Sequence, residues 1–307
     1  TIEAKRQITR EKLSYYQEAY DYLIEQIGTK GKYDRRAIER AKETGIWLSL
    51  LPTHYNGTVL SPSEFKDFLH IRYGLTPKNL PDECDGCNEK FSVQHALCCK
   101  KGGLVIQRHD ELKYTMISVF STAVGPSQVK NEPKIQNSSK SNNKQQPSNT
   151  KTKGNNNKNT TQIQSEERGD ILVQRFWDNV TPTVFDTRIT DLDGNSNKDK
   201  KTEAILNAHE EEKKKKYLPL CLKQRMHFTP LVASTDGILG DEFARTVQRV
   251  AAMTAKKWDK PYSQVCAYVK ARISIAIARS THLCLRGSRI PTKLICPRNP
   301  FWEDGTG

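Results

Sequence analysis

The sequence predicts a mixed α+β or α/β chain. A helical N-terminal region and a small cysteine/histidine knuckle precede a core in the order αβββαβ, and C-terminal helices close it. Three observations carry this. Before residue 80 the apolar residues recur at helical spacing, whereas after residue 104 short apolar runs with strand character alternate with helical stretches. Between the two lies CDGCNEKFSVQHALCC, four of the eight cysteines within sixteen residues. Past residue 240 the pattern is helical again.

Leu13, Tyr16, Ala19, Tyr20 and Leu23 mark a helix over residues 1–28, and a second short helix over 34–45 stops at Gly45. SPSEFKDFLHIRYG opens with Ser61, has Pro62 at the first helical position and Glu64 three residues on, a capping box, and ends at Gly74. LVIQRHDELKYTMISVFSTAV reads as a helix and SQVKNEPKI as a strand. RGDILVQRF and TPTVFDTRIT read as two strands joined by a turn at Trp177–Asn179. A charged helix over 203–226 follows, then the strand HFTPLVAST. Helices over 241–258, with Phe243, Val247 and Val250 on one face, and over 262–282 complete the chain.

The chain has 307 residues and a formal net charge of +14, unevenly spread. Residues 136–165 carry five lysines and no acid in an Asn/Ser/Thr-rich tract, which reads as a disordered insert because it cannot bury enough apolar surface to offset chain entropy. Residues 241–307 carry 12 basic and 5 acidic side chains, and this excess is expected to hold phosphates. The organisation expected is a helical region over 1–80, a knuckle over 81–103, a core over 104–240 and a basic helical region over 241–307. No apolar run reaches the ~18 residues of a membrane span, and the start lacks the apolar stretch of a signal peptide. A membrane protein or secreted precursor is therefore excluded, and an intracellular location, nuclear or cytoplasmic, is expected. The first residue is Thr1, which suggests a piece or processed product of something longer.

Cys84 and Cys87 form a two-residue-spaced chelating pair, His95 follows, and Cys98 or Cys99 closes the set. Such a CCHC set suits tetrahedral Zn²⁺, with Asp85–Gly86 making the tight turn. Four protein ligands leave no open position, so the metal is expected to be structural. Cys221, Cys266, Cys284 and Cys296 are scattered and read as buried free thiols.

Asp170 starts one strand and Asp186 stands inside the next, so a hairpin brings two carboxylates together at one edge of a sheet. Metal-dependent phosphodiester cleavage needs that convergence on Mg²⁺ or Mn²⁺, often with a lysine nearby. Asp186 lies among Val184, Phe185 and Ile189, where an acid is costly unless paired or metal-bound. The competing reading pairs it with Arg188 or Arg168. Asp110 or Glu111, and Glu132, are candidates for a third acid. Lys213 and Lys216 lie on the following helix, in a Glu/Lys run that most often forms a solvated face.

The succession CDGC…H…CC, RHD, NEPKI, RGDILV, FDTRITD and KKKKY resembles the C-terminal region of non-LTR retrotransposon polyproteins that carry a restriction-like endonuclease. The match runs from about Pro81 to Pro230, outside the insert, and the flanks GIWLSLLPTHYNGTVLSPSEFKDFLHIRYGL and DGILG…LCLRGSR also look like those of such elements. The resemblance implies the PD-(D/E)XK nuclease core, nicking of DNA, and use of the new 3′ hydroxyl by an upstream reverse transcriptase domain; element RNA is a further expected partner. It places Asp170 and Asp186 as the metal-binding acids, Lys213 or Lys216 as the lysine displaced onto the helix, and Cys84, Cys87, His95 and Cys99 as zinc ligands. Three departures stand out. Gly169 replaces a proline, Arg188 occupies the usual lysine position, and no YxDD-type polymerase motif is present. The alternative is a non-catalytic, zinc-containing nucleic-acid-binding remnant. A purely structural zinc protein is a third reading.

Overall fold

The computed structural model describes residues 32–54, 56–135 and 167–290, and scattered helical positions among residues 3–21. Of the apolar positions expected to define the first helix only Leu13 is described, and it is exposed. The insert at 136–165 and Cys296 lie outside the described residues.

Helix α1 spans Lys32–Ala41 and α2 spans Pro62–Arg72. The capping box at the start of α2 forms as its sequence requires: Glu64 N–H donates to Ser61 Oγ at 3.2 Å and Ser61 N–H donates to Glu64 Oε2 at 2.7 Å. Gly74, at φ +68°, ends the segment. The short α3, Val93–Cys98, lies inside the knuckle, where Ser92 Oγ accepts the His95 N–H. Helix α4, Leu104–Val124, opens the core.

Among the described residues four strands follow the expected order: β1 Val129–Asn131, β2 Ile171–Val173, β3 Thr183–Thr190 and β4 His227–Ser234, in spatial order β1-β2-β3-β4. The first two pairings are antiparallel. The β3–β4 pairing is parallel and is reached through α5, Thr202–Lys223. Pro230 is accommodated because β4 is an edge strand, where a missing N–H need not break a ladder. Helices α6, Asp241–Trp258, and α7, Tyr262–Arg286, complete the order αβββαβ followed by helices.

Alternation along the strands splits the core into two layers. Ile171, Val173 and Phe185 join Phe120 of α4 and residues of α6 and α7 on one face, with the Phe120 and Phe185 rings 4.6 Å apart. Leu172, Val184 and Phe228 face Tyr217 and Cys221 of α5 on the other. The strand expected over RGDILVQRF is shorter than its sequence suggests. After Val173 the chain turns and drives Phe176 into the core, Trp177 Nε1 donates to Thr229 Oγ1 at 2.9 Å, and Asp178 Oδ1 accepts the Val180 and Thr181 N–H groups. The turn is therefore wider than Trp177–Asn179.

The basic C-terminal region also departs from expectation, because several of its arginines are engaged within the protein. Arg279 donates to the Gly57 and Val59 carbonyls, and Arg286 grips both oxygens of Asp67 at 2.8 Å. Arg289, 3% exposed, donates to the Ala96 and Cys284 carbonyls. These charges fasten the N-terminal segment and the knuckle to α7 and are not free for phosphates. No described helix is long and apolar enough to cross a membrane.

Candidate functional site

Two constellations stand out, one of sulfur and imidazole, the other of carboxylates and lysines. In the first, the ligand atoms of Cys84, Cys87, His95 and Cys99 all lie within 4.8 Å of one another. Cys84 and Cys87 each place Sγ 3.9 Å from Cys99 Sγ, and Cys87 Sγ is 3.3 Å from His95 Nε2. Four ligands at Zn–S distances of about 2.3 Å in a tetrahedron stand ~3.8 Å apart, so this donor set fits a single zinc ion. The turn between the first two cysteines closes as Asn88 N–H donates to the Cys84 carbonyl at 2.8 Å, and Asp85 is held by Ser288 and the Arg289 N–H. Gly86 is required there, since a β-carbon would stand 2.7 Å from Arg289 Cβ. Burial alone raises the Cys84 thiol, yet the Gly86 N–H, His95 and Cys87 outweigh it and bring its pKa down to about 6, favouring the thiolate that metals bind. Cys98 lies outside the set and is exposed, so Cys99 is the fourth member.

The second constellation sits where β2 and β3 meet. Residues Ile171 and Phe185 are partners in register and Asp170 N–H donates to the Phe185 carbonyl, which sets Asp170 beside Asp186. Asp170 Oδ2 accepts from the Thr187 N–H and hydroxyl, each at 2.6 Å, and lies 2.9 Å from His109 Nε2. Burial opposes the Asp170 charge, but the His109 and Thr187 contacts prevail and hold its pKa below the ordinary carboxylate value. Asp186, 3% exposed, moves the other way: burial and the neighbouring Asp170 charge raise it against the pull of Lys213. Lys213 Nζ forms a close ion pair with Asp186 Oδ2.

The remaining candidates distribute differently. Lys216 reaches Glu167 at 3.1 Å and Tyr217 OH at 2.9 Å, away from Asp186, so of the two lysines only Lys213 joins the acids. Arg188 pairs with Glu212 at 2.7 Å and leaves Asp186 to Lys213, so the Arg188 pairing considered from sequence does not form. Asp110 and Glu132 both hold Lys113 and reach Asp170 only indirectly, Asp110 through His109 Nδ1 at 3.3 Å and Glu132 through its N–H to the Asp170 carbonyl. No contact of Glu111 with either Asp170 or Asp186 is present.

Sequence reasoning passed over His109, Thr187 and Lys113. His109 sits in the RHD stretch, and an imidazole directly before Asp110 was the available signal. Thr187 alternates to the opposite side of β3 from Asp186, a placement only the β2–β3 register reveals.

A recess of about 370 Å³ is lined by Arg108, His109, Thr187, Arg188 and Lys213 among others, side chains that include the partners of Asp170 and Asp186 but not the two acids themselves. Past Val105, Arg108, Arg188 and Ile189 it adjoins a larger recess of about 1270 Å³ between the knuckle, the Leu75–Asp82 stretch and the Asp191–Lys198 loop. No protein-family model matches this chain, and no curated protein matches it. What the chain presents is thus a mixed α/β fold, a Cys₃His cluster able to hold a metal ion, and two acids on adjoining strands, Asp186 buried and paired with Lys213.

Proposed function

We propose that this chain is the metal-dependent DNA endonuclease region of a non-LTR retrotransposon protein, of the PD-(D/E)XK type, which nicks target DNA so that the new 3′ hydroxyl primes reverse transcription by an upstream domain. The observation that carries the reading is the placing of Asp170 and Asp186 at neighbouring positions of adjacent antiparallel strands, with Lys213 from the following helix against Asp186. The αβββαβ order supports it, as does the recess lined by His109, Thr187 and Lys213, which adjoins the recess beside the knuckle. A bound Mg²⁺ or Mn²⁺ would supply Lewis acidity to the phosphate and an activated water. Asp170, held charged by Thr187 and His109, anchors one side of that position, and Asp186 the other. Lys213 keeps an ammonium at the floor of the recess, where it holds the attacking water or the charge gathering on the phosphate. The Cys₃His zinc fixes the knuckle that forms one wall of the larger recess, with DNA and element RNA as the proposed partners.

Supercoiled plasmid incubated with purified protein and Mg²⁺ or Mn²⁺ tests this. The expected result is conversion to open circle, abolished by Asp186→Ala; conversion by the Asp170→Ala/Asp186→Ala double variant would sink the reading. One observation favours the non-catalytic alternative: Arg188 stands where a lysine is expected and is committed to Glu212. Salt-dependent DNA binding with no cleavage under any divalent ion would establish it.

A further inference from the structure

Among the described residues four basic side chains are buried, Arg40, Arg108, Lys113 and Arg289, each at most 8% exposed. A cation taken out of water needs opposite charge close by, and three of the four have it. Arg40 is held by Asp193 and Asp236, Lys113 by Asp110 and Glu132, and Arg289 has Asp85 at 4.0 Å. Arg108, on α4 and 3% exposed, forms no ion pair among the described residues. Its guanidinium donates to the Leu97 carbonyl at 3.0 Å and the Ile189 carbonyl at 3.4 Å, and its buried Nε has no partner. Asp191 is near enough to feel the Arg108 charge, yet its carboxylate accepts only the Asp193 N–H and its Oδ2 is buried without a partner.

We propose that Arg108 anchors a phosphate-binding position in the recess of about 370 Å³ that it lines, and that this position takes one phosphate of a nucleic-acid strand. That the phosphate belongs to a strand rests on the nuclease reading; the anion site itself does not. The recess holds four more basic side chains, His109, Arg188, Lys213 and Lys216, and one acid, Glu212. Each of the four already touches a carboxylate: His109 those of Asp110 and Asp170, Arg188 that of Glu212, Lys213 that of Asp186 and Lys216 that of Glu167. Arg108 is thus the cation in this recess that the protein leaves without an acid. An anion entering there does for Arg108 what Asp193 and Asp236 do for Arg40. The guanidinium fork matches carboxylate and phosphate alike, but a phosphate has further oxygens for the partly exposed Arg188 and Lys213 beside it. The larger recess, which Arg108 also lines, carries Asp82, Asp191, Asp193 and Asp236. Those acids repel a polyanion, so the phosphate sits on the α5 side of Arg108.

The test is calorimetric titration of the full-length, zinc-loaded chain with inorganic phosphate, at constant ionic strength and with no divalent ion added. The wild type is expected to bind phosphate, and acetate about tenfold more weakly or less. Arg108→Gln is expected to weaken phosphate binding by about tenfold or more, the loss of a bond to a charged group, and Arg108→Lys by less. Lys260→Gln, an exposed lysine that does not line the recess, is expected to leave it unchanged. A thymidine octanucleotide without terminal phosphate is expected to displace the phosphate. Should Arg108→Gln fail to fold, Val105→Phe decides, because Val105 lines the same recess and a larger side chain there fills it with Arg108 intact. Lost binding then supports the site and retained binding overturns it. No phosphate binding by the wild type, or equal binding by a folded Arg108→Gln, overturns the proposal and leaves the nuclease reading to plasmid nicking. Acetate bound as tightly as phosphate overturns the phosphate assignment. Phosphate bound through Arg108 that the octanucleotide fails to displace keeps the anion site and overturns the strand, and with it counts against the nuclease reading.

Discussion

Thr187 donates both its backbone N–H and its hydroxyl to one oxygen of Asp170, each at 2.6 Å. The N–H is fixed by β3 and persists whatever residue stands there, whereas the hydroxyl depends on threonine and also meets His109 Nε2 at 2.8 Å. Position 187 therefore separates a fold contribution from a side-chain one.

Thr187→Val keeps the β-branched shape and the N–H bond but removes the hydroxyl from a buried carboxylate. Hydrogen bonds to charged groups contribute about 1.5–3 kcal/mol, so the variant is expected to lose roughly that much stability in urea unfolding. Nicking is expected to fall by about tenfold or more, as Asp170 loses a contact that keeps it charged. Unchanged stability and rate would show the hydroxyl to be incidental.

The two adjacent cysteines make a sharp test of the knuckle. Cys98→Ser is expected to retain one zinc per chain by atomic absorption, and Cys99→Ser to lose it. Because Arg289 joins the knuckle to α7 through the Ala96 and Cys284 carbonyls, metal loss should also loosen the end of α7. Faster amide exchange near Leu285 after chelation is the expected sign, and protection that survives chelation would argue against the coupling.

Lys213 and Lys216 give a second paired test. Lys213→Ala is expected to reduce nicking by about 10²-fold or more, the range for a group acting on a proton or developing charge. Lys216→Ala loses a half-exposed pair with Glu167 and a hydrogen bond to Tyr217 OH, neither touching Asp186, and should change it little. The reverse ranking in plasmid-nicking rates would move the lysine role to Lys216.

These pairs also mark where sequence stopped being informative. The helix start at Ser61–Glu64, the helix over 241–258 and the αβββαβ order were legible because capping, apolar periodicity and alternation are local properties. Cys98 and Cys99 are neighbours with the same chemistry, and only the α3 geometry turns one sulfur inward. Lys213 and Lys216 are three residues apart and share a helix face, so only the packing of α5 against β3 separates them. The arginines of the C-terminal region looked like a phosphate-binding surface because sequence counts charge without showing what each charge already touches. Asp67 and the carbonyls near Gly57 and Ala96 lie more than a hundred residues away in the chain.

The ion pair between Arg286 and Asp67 offers a reading of that role in stability. Asp67 is 4% exposed; burial opposes its charge, and the Arg286 and His282 contacts overcome it, lowering its pKa. A depressed carboxylate stabilises the fold above its unfolded pKa of about 4 and loses that contribution as pH falls through the lower folded value. Asp67→Asn is expected to cost on the order of 2 kcal/mol at pH 7, discounted for the partly exposed Arg286. The wild-type and variant stabilities should converge below pH ~4, and a gap that stays constant into acid would exclude the ion pair as its source.

Asp191 should behave in the opposite sense. Burial raises its carboxyl to about 6; the Asp193 N–H and Arg108 pull it down, and the Asp193 and Asp236 charges push it up. Its Oδ1 accepts the Asp193 N–H at 3.1 Å, while Oδ2 is buried without a hydrogen-bond partner. A carboxyl raised in the folded state binds its proton more tightly there, so stability declines as pH climbs from about 4 to the folded value near 6. Asp191→Asn keeps the Oδ1 acceptor and removes the charge. It is therefore expected to be more stable than the wild type by about 2 kcal/mol at pH 7, with the advantage vanishing at pH 4. Denaturant midpoints at the two pH values check this, and an equal shift at both would trace the gain to the new amide's hydrogen bonds instead of relieved charge.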